Sequence, residues 1–209
     1  HNALELSKRG HEVTIFTLDH GRPDYDDNVF PFPVDRLRTW VRPGDAGVVP
    51  QLVQRLKKFD IVHLHYPFFG GAEYVWLAAR LHKTKYFLTY HMDVEGHSFI
   101  KKAILKSYET MMAPFIIKGA ARIGALTRPH LASSKFGKLV DWSKVVDLPN
   151  GVDVERFSPG IRDAHLVEKY QLQDKVVVLF VGNLQPFKGL HVLVKAMAQI
   201  DDPRIVLLI

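Results

Sequence analysis

The chain has 209 residues, 47% hydrophobic and 24% charged, with no low-complexity tract, which is enough for one sizeable core or for one domain and part of another. It contains no cysteine, which excludes disulfides and thiolate metal sites and mildly favours a reducing compartment, and no apolar run reaches the ~18 residues of a membrane span. A formal net charge of +6 suits anionic partners such as phosphate ligands, acidic lipid surfaces or nucleic acid.

The first residue is His1 and the chain opens inside a helix-like pattern, so its start is expected to be missing. Residues 2–9 read as a helix end, with Lys8-Arg9-Gly10 as the stop signal. A strand is expected at 12–18, a loop rich in Asp, Pro and Gly at 19–33, and a second strand at 34–41. A helix at 51–59 leads into a strand at 60–65. Gly70-Gly71, after Phe68-Phe69, reads as a flexible rim loop, because no basic residue follows closely enough for a phosphate loop. Helix 72–82, strand 85–90 ending at His91, and helix 98–118 interrupted at Pro114 come next. Strand 121–126, helix 129–139 and strand 144–148 complete this series, and Asn150-Gly151-Val152-Asp153 forms a turn. Residues 157–173 read as a connector carrying one short helix.

The stretch from Val176 to Leu190 is the most informative. Val176-Val177-Val178-Leu179-Phe180-Val181 has the pattern of a parallel strand buried on both faces. Gly182 breaks the run, and Lys188-Gly189 opens a helix whose apolar positions are Leu190, Leu193, Val194, Met197 and Ile200. Strand, glycine turn, lysine and helix start together suit an anion, through unpaired N–H groups and a full charge; an ordinary βα unit with a solvated lysine is the alternative. Residues 204–209 form another strand of buried type.

Strands alternating with helices imply right-handed βαβ units and a parallel sheet, with ligands at the carboxyl ends of the strands. Polar residues fall at those ends: His65, His91, Thr127, Asn150 and Gly182-Asn183. Loops are polar in any case, so strand-end polarity has a purely structural reading as well. His63 and His65 share one strand face at two-residue spacing, which suggests a metal pair. No third ligand stands near them in sequence, so His63 reads as packed or hydrogen-bonded and His65 as an acceptor-side contact. Over residues 99–117, Ile100, Ala103, Ile104, Tyr108, Met111, Met112 and Phe115 form an apolar stripe, with Lys101, Lys102 and Lys106 mostly off it. That segment is either a core helix with a solvated lysine face or a helix that docks on acidic lipid head groups.

Taken in order, several of these stretches resemble glycosyltransferase family 4, enzymes of the two-domain GT-B fold. Lys8-Arg9-Gly10-His11-Glu12-Val13 is similar to the family's "rGHeV" segment, and Asp60-Ile61-Val62-His63-Leu64-His65 to its "DiVHvH" strand. Thr89-Tyr90-His91 stands where the family has "TxH". Pro149-Asn150-Gly151-Val152-Asp153, with Phe157 and Pro159, resembles "pNGVDxxxFxP", and Val181-Gly182-Asn183-Leu184 with Lys188-Gly189 resembles "vGRLxxxKG". The resemblance implies an α/β protein of two Rossmann-like parallel-sheet domains, the first lacking its opening strand and the second truncated. Its parts would be an acceptor-side domain at 1–158, a linker at 159–174 and the beginning of a donor-binding domain at 175–209, incomplete for activity as it stands.

The implied reaction is transfer of a sugar from a nucleotide diphosphate sugar, UDP- or GDP-linked, to a hydroxyl acceptor, with retention and without a metal. The acceptor would be a glycan, a lipid-linked molecule or a small molecule. The resemblance makes His91 and Lys188 catalytic: His91 contacts the donor sugar across a cleft, and Lys188 neutralises the leaving diphosphate. Gly182, Asn183, Lys188 and Thr127 fall on the donor side, with Gly182 letting phosphate approach for want of a Cβ. His65 and Asn150 fall on the acceptor side, although Asn150 and Gly151 also suffice as a turn. The chain departs from the pattern at Asn183, where the family usually has an arginine; asparagine carries neither the charge nor the guanidinium fork. That departure keeps a second reading open, a non-catalytic or degenerate sugar- or phosphate-binding module.

Asp24-Tyr25-Asp26-Asp27 has the look of the metal-binding D-x-D of a different sugar-transferase class, but it sits early in a Pro-rich loop and reads as solvated surface. A nicotinamide dehydrogenase is disfavoured because no G-x-G-x-x-G opens a helix, and nucleic-acid binding because the positive charge is scattered with no recognised module. A cytoplasmic location is expected, peripheral at the inner face of a membrane with anionic lipid, in envelope or polysaccharide biosynthesis.

Overall fold

The computed structural model describes residues 2–21, 26–42, 46–96, 98–160 and 162–209. The chain divides into two compact units, His1–Gly151 and Val152–Ile209.

The first unit is built on a parallel sheet of β3 (Ile61–Tyr66), β4 (Lys85–Tyr90), β5 (Arg122–Ala125) and β6 (Val145–Asp147), in that spatial order. A separate parallel pair, β1 (Ile15–Leu18) and β2 (Val34–Leu37), contributes Leu18 and Leu37 to the same core. Helices α1 (Asn2–Lys8), α2 (Leu52–Arg55), α3 (Ala72–His82), α4 (Phe99–Met111), α5 (Ala113–Gly119) and α6 (Arg128–Ser133) fall between and around the strands. Strand period decides which side chains enter the core. Leu64 and Tyr66 on β3, with Tyr86, Leu88 and Tyr90 on β4, form the buried face, each 3% exposed or less. The alternate residues His63, His65, Phe87 and Thr89 therefore lie on the other face. α3 packs against β3, β4, α2 and α5, and the Tyr86 hydroxyl donates to the Ile116 carbonyl of α5, so its polar end is satisfied in the core.

Helix 72–82 and strand 85–90 occur at the expected residues, while several other elements are shorter. The strand expected at 34–41 ends at Leu37, because the Trp40 N–H donates to Val48 O (2.9 Å) and the Val48 N–H to Val41 O (3.0 Å), which turns the chain back on itself. The helix expected at 51–59 becomes α2 followed by a 3₁₀ turn, Leu56–Lys58. The helix expected at 129–139 stops at Ser133, since the Ser134 hydroxyl donates to Leu131 O at 2.7 Å and its backbone leaves the helical region. Pro114 separates α4 from α5, in the first turn of the latter, where a missing N–H costs nothing. Gly70-Gly71 is not the loose rim that its composition suggests. The Gly70 carbonyl accepts from the Val49 N–H (2.9 Å), and a Cβ there would lie 2.4 Å from Gly47 O.

The apolar stripe on α4 is phased differently from expectation. Tyr108 and Met112 turn partly inward with Leu105 and pack toward the core, whereas Phe99, Ile100, Ile104, Met111 and Phe115 are exposed.

The second unit holds α7 (Ala164–Lys169), β7 (Val176–Leu179), α8 (Leu190–Met197) and β8 (Ile205–Leu208), with β7 and β8 parallel. β7 is not buried on both faces, as its sequence suggests: Val176 is 57% and Leu179 61% exposed. A pair of short strands with two short helices has too little apolar surface to close both faces. Among the described residues of this unit only Leu172 is buried.

Candidate active site

β3 and β4 run in register, with His65 beside Thr89 and Tyr66 beside Tyr90. The His91 N–H donates to Tyr66 O at 2.9 Å, so the ladder continues one residue past β4 and brings His91 diagonal to His65. The two rings stack at 5.1 Å between centroids, and His65 Nδ1 lies 2.8 Å from His91 Nε2, so one donates and the other accepts. His63 stacks on His65 at 4.3 Å, and its Nε2 pairs with the Thr89 hydroxyl at 2.7 Å. On the next strand Gly124 stands beside Thr89. A Cβ there would come 2.8 Å from the Phe87 ring and 3.1 Å from Thr89 Oγ1, so glycine leaves room for the ring that His63 leans on.

Sequence alone offered no third partner for His63 and His65; parallel pairing supplies His91. The three rings nevertheless stand in a row rather than converge, and among the described residues no three His, Cys, Asp or Glu side chains are grouped to hold a metal ion. All three imidazoles are held below their ordinary pKa. For His63 the value falls to about 4, first through burial and then through repulsion by charge on His65 and His91. His65 is lowered by burial and by His91, and His91 by burial. The cluster is therefore neutral at pH 7 and offers hydrogen bonds rather than charge.

An acid sensitivity of folding follows. Unfolded histidine takes up a proton near 6.5, whereas His63 in the fold resists until about 4, so its contribution is complete above 6.5 and is lost as pH falls between those values. Allowing for solvent screening of a half-buried ring, the loss is about 2 kcal/mol. Urea unfolding at neutral and mildly acidic pH should show it, and His63→Gln should flatten the slope. An equally steep slope in the variant would contradict this account.

Other strand-end residues are placed separately. Thr127 is exposed after β5, and its hydroxyl accepts from the His130 N–H at 3.3 Å, capping α6. Asn150 is exposed beyond β6. The turn after it is made by Asp153, whose carboxylate accepts from the N–H groups of Glu155 (3.1 Å) and Arg156 (3.0 Å). Of the D-x-D run, Asp24 and Tyr25 lie outside the described residues. Asp26 caps the turn Asp27–Val29, and Asp27 is held well below the usual carboxylate range by its hydrogen bonds to the Arg36 guanidinium.

In the second unit, Gly182 and Asn183 follow β7 in an exposed loop, where Asn183 O accepts from the Gln185 N–H at 2.8 Å. Lys188 ends the 3₁₀ turn Pro186–Lys188 and Gly189 opens α8, so the lysine directly precedes a helix N-terminus. A Cβ on Gly182 would be no nearer than 3.6 Å to the Phe180 ring, leaving that backbone open. Gly182 also lines a cleft of about 400 Å³ with Tyr170, Phe180 and Leu208, at the carboxyl ends of β7 and β8.

Sequence reasoning passed over Thr89 as more than a motif letter, and over Asp93. Asp93 accepts from the Tyr90 hydroxyl (2.5 Å) and from the Lys135 N–H (3.1 Å), tying the loop after His91 to the segment after α6. Thr89 could have been found from its place two residues before His91, on the same strand face.

Similarity to known proteins agrees with this architecture. D-inositol 3-phosphate glycosyltransferase of Mycolicibacterium smegmatis is 25% identical across 98% of this chain and 51% of its own length. The protein of that name from Geodermatophilus obscurus is 30% identical over 69% of this chain and 33% of its own length. The chain thus spans about half the length or less of these curated relatives. Among solved structures, a glycosyltransferase from Rickettsia africae superposes with a TM-score of 0.65 at 19% identity, covering 98% of this chain and 54% of that one. Anabaena Alr3699/HepE in complex with UDP-glucose gives 0.60 at 17% identity, over 84% and 46%. The parallel α/β units are those of the GT-B fold. The profile of glycosyltransferase family 4 matches residues 1–156, and the chain belongs to that family.

Proposed function

We propose that the full-length protein transfers a sugar from a nucleotide diphosphate sugar to a hydroxyl acceptor, with retention at the anomeric carbon and without a metal. The observation that carries this is the His65–His91 pair, two imidazoles 2.8 Å apart at the carboxyl ends of adjacent parallel strands in a family 4 chain. We assign His91 to the donor sugar, where a neutral ring accepts or donates a hydrogen bond as the transition state forms. His65 and Asn150 are assigned to the acceptor side and Thr127 to the donor. The open backbone at Gly182 and the lysine before α8 support a diphosphate site at Gly182, Asn183 and Lys188. The charge lost by Asn183, where the family usually carries arginine, then rests on Lys188. UDP-glucose in the Anabaena structure supports a nucleotide-sugar donor, and the relatives' names support a small phosphorylated acceptor.

The same lack of arginine favours the second reading, a degenerate module that binds sugar or phosphate without turnover. Transfer assays of the full-length protein with UDP- and GDP-sugars, with Lys188→Ala beside it, separate the two. No turnover with any donor removes the transferase, and equal rates in wild type and variant remove Lys188 from catalysis.

The exposed face of α4 supports a peripheral membrane contact. Phe99 is 87%, Ile100 70% and Ile104 63% exposed, beside Lys101, Lys102 and Lys106. No helix among the described residues is long and apolar enough to cross a membrane. Anionic vesicles at low salt should pellet the protein; failure to pellet at any lipid composition removes this contact.

A further inference from the structure

His91 stands on a turn that is held at both ends. Its near end is the strand, where the His91 N–H donates to Tyr66 O at 2.9 Å. Its far end is Asp93, whose two carboxylate oxygens take separate donors. Oδ1 accepts from the Tyr90 hydroxyl at 2.5 Å and Oδ2 from the Lys135 N–H at 3.1 Å. The first bond closes a loop from Tyr90 to Asp93 across the histidine, and its donor cannot drift. Tyr90 is 1% exposed, and its ring packs against Tyr66, Phe136 and His130 with centroids 6.4, 6.1 and 5.8 Å away. Burial, and then the Asp93 carboxylate, hold that hydroxyl well above the usual phenol range, so it stays protonated and donates. The second bond ties the turn to the segment after α6, and Lys135 Nζ adds a bond to Val94 O at 3.0 Å. Met92, inside the loop, is 54% exposed, so these bonds rather than apolar packing set the direction of the turn. Tyr90 and His91 point to opposite faces of the strand, and the clasp therefore acts on the imidazole through the backbone. The ring-to-ring hydrogen bond of 2.8 Å between His91 and His65 leaves little room for displacement.

We propose that Asp93 is a positioning residue for His91: by joining the Tyr90 hydroxyl to the Lys135 backbone, it fixes the turn that aims the imidazole at His65 and at the reacting sugar. The effect on transfer rests on the transferase reading; the placement of the ring against His65 does not, and is measured without turnover.

Imidazole nitrogen NMR of the full-length protein, isotope-labelled at histidine, tests it beside transfer kinetics, with the His91 signals identified by their loss in His91→Gln. Asp93→Ala and Tyr90→Phe should both move the His91 Nε2 resonance from its hydrogen-bonded position. Both should also raise the titration of the ring toward the ordinary 6.5, since burial is what lowers it. The loss of kcat should be about tenfold in Tyr90→Phe and about 10²-fold in Asp93→Ala with donor KM little changed, the scale of a displacement of about 1 Å. Asp93→Asn keeps an acceptor for the Tyr90 hydroxyl and should recover part of both. Asp141→Ala removes a cap of the same kind from the turn Trp142–Lys144, so it should lower stability without moving the His91 signals or kcat. Should Asp93→Ala fail to fold, Tyr90→Phe, which keeps the ring and removes one oxygen, decides alone. His91 signals and titration unchanged in a folded variant overturn the proposal, even where kcat falls. Displaced signals in a protein whose wild type transfers no sugar support the clasp while the transferase reading falls.

Discussion

Replacing His91 by alanine in the full-length protein is expected to lower kcat for sugar transfer by about 10²–10³-fold, the usual effect of removing one fixed donor from a developing charge. The fold should tolerate the change. The ring is partly exposed, and its contacts are one hydrogen bond to His65 and one stack, so unfolding free energy should change by no more than about 1 kcal/mol. KM for the donor should move much less than kcat, because a contact that matters in the transition state is not uniform binding. His65→Phe keeps a ring in the stack and removes the partner of His91 Nε2, so it should give a smaller loss and a shifted pH profile. An unchanged kcat in His91→Ala, with a folded protein, would remove this residue from the chemistry.

Gly70→Ala should destabilise the first unit by about 3 kcal/mol, combining a left-handed alanine with overpacking. Gly70 has φ +81°, and its missing Cβ would lie 2.4 Å from Gly47 O and 2.6 Å from Gly47 C, backbone atoms that cannot move aside as a side-chain end does. The Gly70 carbonyl also accepts from the Val49 N–H, and Val49 is fully buried, so a shift there strains the start of α2. The melting temperature should fall by about 6–12 °C. Gly10→Ala is the control: φ is +86°, but nothing lies within 4 Å of the added carbon, so only the left-handed cost remains. If both variants melt alike, the close approach of Gly47 to Gly70 is not a packing constraint.

Much of the fold was legible because local patterns and tertiary needs agree. Helix 72–82 carries its apolar face at helical spacing, strand 85–90 alternates, and Pro114 breaks the helix where a proline must. The motifs at Lys8–Val13, Asp60–His65, Thr89–His91, Pro149–Asp153 and Val181–Gly189, taken together, pointed to the family whose profile matches residues 1–156. Errors arose where a competing hydrogen bond that periodicity does not show ends an element early. Ser134 ends α6 by bonding back to Leu131, and Val48 captures Trp40, so helix and strand stop short of their periodic patterns. On α4 the periodicity was visible but its phase was not, because the core takes Tyr108 and Met112 rather than Ile100 and Ile104.

By itself the sequence determined the α/β class, the family and the residue types at the strand ends, since these follow from short-range spacing and composition. Only the tertiary structure decided that His65 and His91, 26 positions apart, share a hydrogen bond, and that Thr89 holds His63. The reason is parallel pairing: two strands joined through a helix set their register by packing across the sheet, and no local pattern encodes which side chains then stand face to face.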